Sequence, residues 1–284
     1  ACPFGAIEIV EKKAAIKDAC TLCGSCVESC KFNAINFARD ETVKHDLSEY
    51  KGIWVFAEQR YGKLKTVSLE LLGKAGELSA QLNVSVTAIL LGHGIDNLAD
   101  ELIACGADEV LLMDDDRLND FNDHVYGEAI IDLIGEYKPE RVLVGATSKG
   151  RSLAPHISSA LKTGLTADCT ALGIDIESKL LVQTRPAFGG NLMAEIICPD
   201  NRPQMSTVRP GVFEKLEKDS SRRGNIEKVN IDVKEDDIRT KIQDVVKSAK
   251  NIADIGEAKV LVSGGRGLGS PEGFNMLKEL ADLL

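Results

Sequence analysis

Four cysteines stand close together near the start of the sequence: Cys20, Cys23, Cys26 and Cys30, in the spacing C-x2-C-x2-C-x3-C. Thiolates are soft ligands that suit iron–sulfur chemistry, and two-residue gaps let three of them turn inward around one centre. This is the spacing of a four-iron, four-sulfur cubane, a one-electron carrier. A fifth cysteine, Cys2, is followed by Pro3, and Cys-Pro is how such a run ends. Two alternatives stay open. One is zinc held by four cysteines, although zinc ribbons set a second C-x2-C about 15–20 residues from the first. The other is a single cluster held by the run 20/23/26/30 alone.

In bacterial ferredoxins with two clusters, the fourth cysteine of each run binds the other cluster. Applied here, Cys2, Cys20, Cys23 and Cys26 hold one complete cluster. Cys30 serves a second, whose remaining ligands are expected upstream of Ala1. Phe4-Gly5-Ala6-Ile7 and Phe32-Asn33-Ala34-Ile35 each begin two residues after a run's last cysteine, which marks an internal repeat. Lys31 departs from the usual proline. Five of the eight cysteines lie in the first 30 residues, while Cys105, Cys169 and Cys198 are isolated in apolar contexts. Such crowding is not a disulfide framework; it points to a reducing, cytoplasmic compartment. The isolated three are expected to be buried structural thiols.

The elements that must position this chemistry start at Tyr50. Apolar runs at 53–57, 84–91, 109–113 and 141–145 read as strands. Amphipathic stretches at 66–82, 96–105, 121–137 and 150–161 read as the helices between them. That alternation predicts a parallel sheet. Segments 180–184 and 192–197 are expected as a hairpin on the same sheet. Ligands in such sheets sit beyond the carboxyl ends of the strands, here at 57–58, 92–94 and 145–151. The loop 145–151 suits either a phosphate at a helix N-terminus or an ordinary helix cap. His93, between glycines, reads as a loop residue. Thr184-Arg185-Pro186-Ala187-Phe188-Gly189-Gly190-Asn191 suits either an anionic or planar ligand or a turn. Further on, 226–233 reads as an edge strand and 237–250 as a helix. A strand at 258–262 runs into Ser263-Gly264-Gly265-Arg266-Gly267-Leu268-Gly269-Ser270, and a helix follows near Pro271. Strand, glycine loop and helix suggest a pyrophosphate site, although the third glycine of G-x-G-x-x-G is replaced by Ser270.

Composition narrows the class. The 284 residues are 44% hydrophobic and 27% charged, so two compact domains with room for a small third are expected rather than disorder. Lys and Arg number 34 against 44 Asp and Glu, a net charge of −10 that argues against nucleic-acid binding. No apolar run approaches the ~18 residues of a membrane span. The sequence opens without Met and closes at Leu284 inside a helical pattern, so a longer natural subunit is expected.

The combination resembles the alpha subunit of electron transfer flavoproteins, over residues from about 50 to 284. The residues that carry the likeness are Gly-Arg-Ser-Leu-Ala-Pro (150–155), Gly-Leu-Thr-Ala-Asp (164–168), Thr-Arg-Pro-Ala-Phe-Gly-Gly-Asn (184–191) and Val-Ser-Gly-Gly-Arg-Gly-Leu (262–268). The N-terminal extension is similar to that of anaerobic members associated with flavin-based electron bifurcation. The resemblance implies an α/β fold class: a parallel-sheet nucleotide-binding-like domain I at 50–233. A small α+β ferredoxin-like domain precedes it at 1–46, and the start of an FAD-binding domain II follows at 234–284. It implies FAD contacts at Gly264, Gly265, Arg266 and Gly267, and places Arg185 and Asn191 toward a second flavin held mainly by a beta subunit. It also implies ferredoxin and a flavin-dependent dehydrogenase, of acyl-CoA or 2-hydroxy acid type, as partners. No complete catalytic site is expected in this chain. An ATP pyrophosphatase-like enzyme is the alternative, and it lacks the Asp-Ser expected after Ser263-Gly264-Gly265.

Overall fold

The structure is a computed structural model and describes residues 2, 4–10, 13–20, 25–32, 34–36, 46–233, 238, 240, 242–243, 245, 258 and 260–284. The chain divides into two compact units, Ala1–Asp46 and Leu47–Leu284. In the first, β1 (Ile7–Val10) and β2 (Lys13–Ile16) form an antiparallel hairpin with Ile7 opposite Ile16, and a short α1 (Ser25–Glu28) follows.

The second unit opens with β3 (Lys51–Phe56), the small hairpin β4 (Gln59–Arg60) and β5 (Lys63–Leu64), and α2 (Thr66–Leu82). Alternation then continues through β6 (Val86–Gly92), α3 (Asp96–Ala104), β7 (Glu109–Asp114), α4 (Asp123–Tyr137), β8 (Pro139–Gly145) and α5 (Ser148–Ala160). Next come β9 (Leu165–Cys169), β10 (Ala171–Ile174), β11 (Leu181–Ala187), β12 (Leu192–Ile196), β13 (Gln204–Val208) and β14 (Asn225–Lys228). The last element is α6 (Phe274–Leu283).

Seven strands make one sheet in the order β14-β7-β6-β3-β8-β13-β9, every pair parallel. Strand alternation sends side chains to two cores. Ile53, Val55, Ala88, Leu90, Val110 and Leu112 pack with Leu71, Leu72, Leu98 and Leu102 of α2 and α3. Trp54, Phe56, Ile89, Leu91, Leu111 and Met113 pack with Ile130, Leu133, Leu153 and Ile157 of α4 and α5. Helices on both faces explain why these strands are apolar throughout: all seven residues of β6 are buried. Each fully buried Leu or Ile contributes roughly 1.5–3 kcal/mol.

Three expectations need correction. The hairpin at 180–197 exists, with Ala187 opposite Leu192, but β10-β11-β12 is a separate three-stranded antiparallel sheet. Its place beside β8 is taken by β13, a strand that sequence patterning did not reveal. The strand expected at 258–262 does not form among the described residues: Val260 is in a bend, Leu261 and Val262 are irregular, and no neighbour pairs with them. A lone strand leaves its backbone N–H and C=O groups without ladder partners. The edge strand expected over 226–233 is real but shorter, pairing Asn225–Lys228 with β7. The helix expected at 237–250 lies for the most part outside the described residues. Among those residues, no helix is long and apolar enough to cross a membrane.

Candidate functional site

The cysteine unit shows its internal repeat in three dimensions. The Ala6 amide donates to Cys2 Sγ at 3.3 Å, and four residues past Cys30 the Ala34 amide donates to Cys30 Sγ at 3.4 Å. A turn closes the first of these, with Gly5 N–H donating to Cys2 O at 3.3 Å and Gly5 in the left-handed region at φ 64°. Cys20 ends the turn after β2, where its amide donates to Lys17 O at 3.0 Å, and Cys26 lies on α1. Cys2, Cys20, Cys26 and Cys30 are half-buried free thiols; Cys23 lies outside the described residues. The donor set fits an iron–sulfur cluster: soft thiols, none oxidised among those described, two already receiving backbone N–H bonds. Such bonds stabilise thiolate charge and tune a cluster's potential.

The isolated thiols divide. Cys105 and Cys169 are buried, and burial raises the first and pushes the second up to about 12. Both are therefore protonated and inert. Cys198, expected buried, is only half-buried, because it sits in the loop after β12 with Sγ near Asn201 O.

At the carboxyl ends of the parallel strands, the loops after β3, β6 and β8 border a cleft of about 820 Å3 at the point where strand order reverses. Its Thr147 hydroxyl and Lys149 ammonium are taken up by the protein. Thr147 Oγ1 accepts from Gly150 N–H at 3.1 Å and donates to Glu58 Oε2 at 2.5 Å. Lys149 Nζ donates to Gln59 O at 3.1 Å and lies 5.1 Å from the Phe121 ring centroid. Burial lowers the Lys149 pKa. The helix cap read from 145–151 is formed, by Thr147. His93 is a half-exposed loop residue, its Nδ1 3.0 Å from Asp116 Oδ1.

The motifs at 150–155 and 164–168 meet. Arg151 Nη2 donates to Asp168 Oδ1 at 2.8 Å. Asp168 sits at φ 62°, a conformation costing an L-residue about 1–2 kcal/mol. Its amide is held by the buried Thr207 hydroxyl on β13 at 3.0 Å. Nothing in the sequence pattern announced either the strain or the pairing. Arg185 is half-buried on β11 opposite Ala194. Asn191 is exposed after a turn whose Gly189 and Gly190 have φ of 71° and 90°, so the segment 184–191 does form a hairpin turn.

In the glycine loop, Arg266–Leu268 form a short 3-10 turn, a second spans Pro271–Gly273, and α6 follows. A side chain on Gly264 would meet Leu268 and Leu277 methyls at 2.4 Å, so its role is packing. Gly265 and Gly267 have open space where a side chain would be, and Arg266 is exposed. Open backbone beside an exposed guanidinium fits an anionic pyrophosphate, although the preceding strand is missing among the described residues.

A doubly covered parallel α/β domain in one chain with a cysteine unit of ferredoxin spacing points to the class of redox carriers. Two family models match the chain: an electron transfer flavoprotein domain over residues 53–234 and a 4Fe-4S binding domain over 15–36. The chain is 55% identical over 238 residues to the electron transfer flavoprotein subunit alpha of Thermoanaerobacterium thermosaccharolyticum, covering 84% of this chain and 72% of that one. It is 38% identical over 281 residues to the lactate dehydrogenase (NAD(+),ferredoxin) subunit LctC of Acetobacterium woodii, covering 99% of this chain and 67% of the relative. It is also 38% identical over 263 residues to the acryloyl-CoA reductase electron transfer subunit beta of Anaerotignum propionicum, covering 84% and 72%. The chain belongs to the electron transfer flavoprotein family, as a member of the alpha-subunit type carrying a 4Fe-4S binding segment.

Proposed function

We propose that this chain carries electrons between flavins and an iron–sulfur cluster in a heterodimer with a beta subunit, and onward to or from ferredoxin and a flavin-dependent dehydrogenase. The observation that carries the reading is the repeated amide-to-sulfur hydrogen bond at Cys2 and Cys30, in a unit joined to an electron transfer flavoprotein domain. Cys2, Cys20, Cys23 and Cys26 hold one cluster and Cys30 belongs to another. Bound clusters supply one-electron steps, and bound flavin links one-electron to two-electron chemistry. The chain's own contribution is position and potential. The Ala6 and Ala34 amides offset thiolate charge, which favours the reduced form.

Gly265, Arg266 and Gly267, packed in place through Gly264, contact the FAD pyrophosphate, and Arg185 with Asn191 faces the second flavin. Coupled NADH oxidation and ferredoxin reduction is supported by the names of two relatives, a lactate dehydrogenase (NAD(+),ferredoxin) subunit and an acryloyl-CoA reductase electron transfer subunit. They also favour a 2-hydroxy acid or acyl-CoA dehydrogenase partner, in the reducing cytoplasm. Iron analysis of anaerobically purified variants tests the ligand assignment. Cys2→Ser and Cys20→Ser each remove the same cluster signal, while Cys30→Ser leaves that signal in place. Loss of it in Cys30→Ser with retention in Cys2→Ser assigns the cluster to the run 20/23/26/30 alone and overturns the assignment.

A further inference from the structure

Away from the cysteine unit, α4 and α5 bring together a second set of metal-binding side chains. His124 and Glu128 are one turn apart on α4 and share a face. His156 reaches them from α5. Its Nε2 lies 3.3 Å from Glu128 Oε1, and His124 Nδ1 lies 3.7 Å from the same oxygen. One donor atom from each residue falls within 4.8 Å of the other two. The imidazole rings are stacked, 5.7 Å between centroids and 7° from parallel.

The approach depends on Gly127. A Cβ there would stand 2.6 Å from His156 Nδ1 and 2.8 Å from its Cε1, so only glycine lets the ring lie across α4 toward Glu128. Beside the cluster, Ser152 Oγ donates to Asp123 Oδ2 at 2.8 Å, a further tie between the two helices. The helix start that delivers His124 is fixed by Asn122, whose side chain accepts from the His124 and Val125 amides.

We propose that His124, Glu128 and His156 form a zinc-class site that braces α4 against α5. Two imidazole nitrogens and one carboxylate oxygen are the donor set of that class, whereas calcium and magnesium take oxygen ligands. Zinc bonds of ~2.0–2.2 Å in tetrahedral geometry place neighbouring donors roughly 3.3–3.6 Å apart. The His156–Glu128 spacing is already there and the His124–Glu128 spacing is about 0.1 Å outside it, while the two imidazole nitrogens lie within 4.8 Å of each other, so binding draws them together and turns one ring out of the parallel stack. The side chains of His124, His156 and Glu128 are 19%, 29% and 39% exposed, so the ion has an entry path and a fourth position open to water. The brace lies over the core built on Trp54, Ile89 and Leu111, and stiffens the helical layer on that face of the sheet.

The test uses the complete chain with its cluster assembled anaerobically, so that the cysteines are occupied, and zinc ion alone as the probe. Equilibrium dialysis with elemental analysis is expected to find one zinc per chain with unchanged iron. The double variant His124→Asn/His156→Asn is expected to lose that zinc and keep its iron. Single variants weaken binding by at least ~100-fold, beyond the ~10–100-fold typical of losing a supporting hydrogen bond to a ligand. Zinc ~100-fold above its dissociation constant raises the wild-type melting temperature by about 5–10 °C, and the double variant's not at all. Gly127→Ala keeps all three ligands and still weakens zinc, because its methyl displaces His156. Zinc content unchanged in the double variant, or absent from the wild type, overturns the proposal.

Discussion

Gly150 gives the sharpest test of how the Gly-Arg-Ser-Leu-Ala-Pro segment is built. It lies in the first turn of α5, directly above the end of β8. A methyl at this position would stand 1.9 Å from Gly145 O and 2.9 Å from Val144 Cγ1. Reaching even 3.0 Å requires the helix start and the strand end to separate by more than 1 Å, and the obstacle is backbone that cannot rotate away. Overpacking of this kind costs ~3 kcal/mol, and the better helix propensity of Ala returns up to ~1 kcal/mol, leaving a net loss of ~2 kcal/mol for Gly150→Ala. For a unit of this size that lowers the melting temperature by about 4–8 °C. Gly135, inside α4, is the matched control, since a Cβ there meets nothing within 4 Å. Gly135→Ala should stabilise by ~0.5–1 kcal/mol, raising the melting temperature by about 1–4 °C. Calorimetry on both variants decides the matter. Shifts of the same sign would refute the reasoning, because they would mean that propensity alone, and not the contact with Gly145, governs Gly150.

Other outcomes follow from specific contacts. Arg117 hydrogen-bonds the Asp115 carboxylate and holds it down at about 2, from an ordinary 3.8. Its stabilisation is full above pH ~4 and is lost as pH falls through about 2, so Asp115→Asn should flatten the acid limb of an unfolding-versus-pH curve by ~1 kcal/mol after solvent screening. Ala6→Pro deletes the amide that donates to Cys2 Sγ; if that bond strengthens by ~0.5–1.5 kcal/mol on reduction, the cluster potential falls by about 20–65 mV in a redox titration. Alkylation at pH 8 should label Cys198 in the folded protein, whereas Cys169, buried and pushed up to about 12, reacts only on unfolding; mass spectrometry reads the order.

Elements with one dominant pattern were legible in the sequence. The helix expected at 66–82 is found as Thr66–Leu82, and the strands at 53–57 and 109–113 are found within a residue or two at each end. Buried parallel strands read as apolar runs, and the helices between them as amphipathic stripes, so local sequence suffices. β13 was hidden because its buried positions include Gln204, Ser206 and Thr207, whose polar side chains erase the apolar signal of a central strand. Its insertion between β8 and β9 in turn sent the 180–197 hairpin to another sheet, a long-range outcome that no window of sequence contains. In the cysteine unit, spacing singled out the candidate ligands, and the repeat hinted that Cys2 and Cys30 are equivalent. The amide donors at Ala6 and Ala34 needed coordinates, since a backbone N–H leaves no mark on residue type. Likewise Arg151 and Asp168 looked like separate motif residues until the left-handed turn at Asp168 aimed its carboxylate at the guanidinium.

The central claim is that electrons pass between flavin and the cysteine-bound cluster of this chain. It is tested most directly by anaerobic stopped-flow on the complex with its beta subunit, comparing wild type with Cys26→Ser at equal flavin content. The account predicts that NADH still reduces flavin in the variant while electron delivery to ferredoxin is lost. Ferredoxin reduction at the wild-type rate in a variant shown to lack the cluster would contradict it.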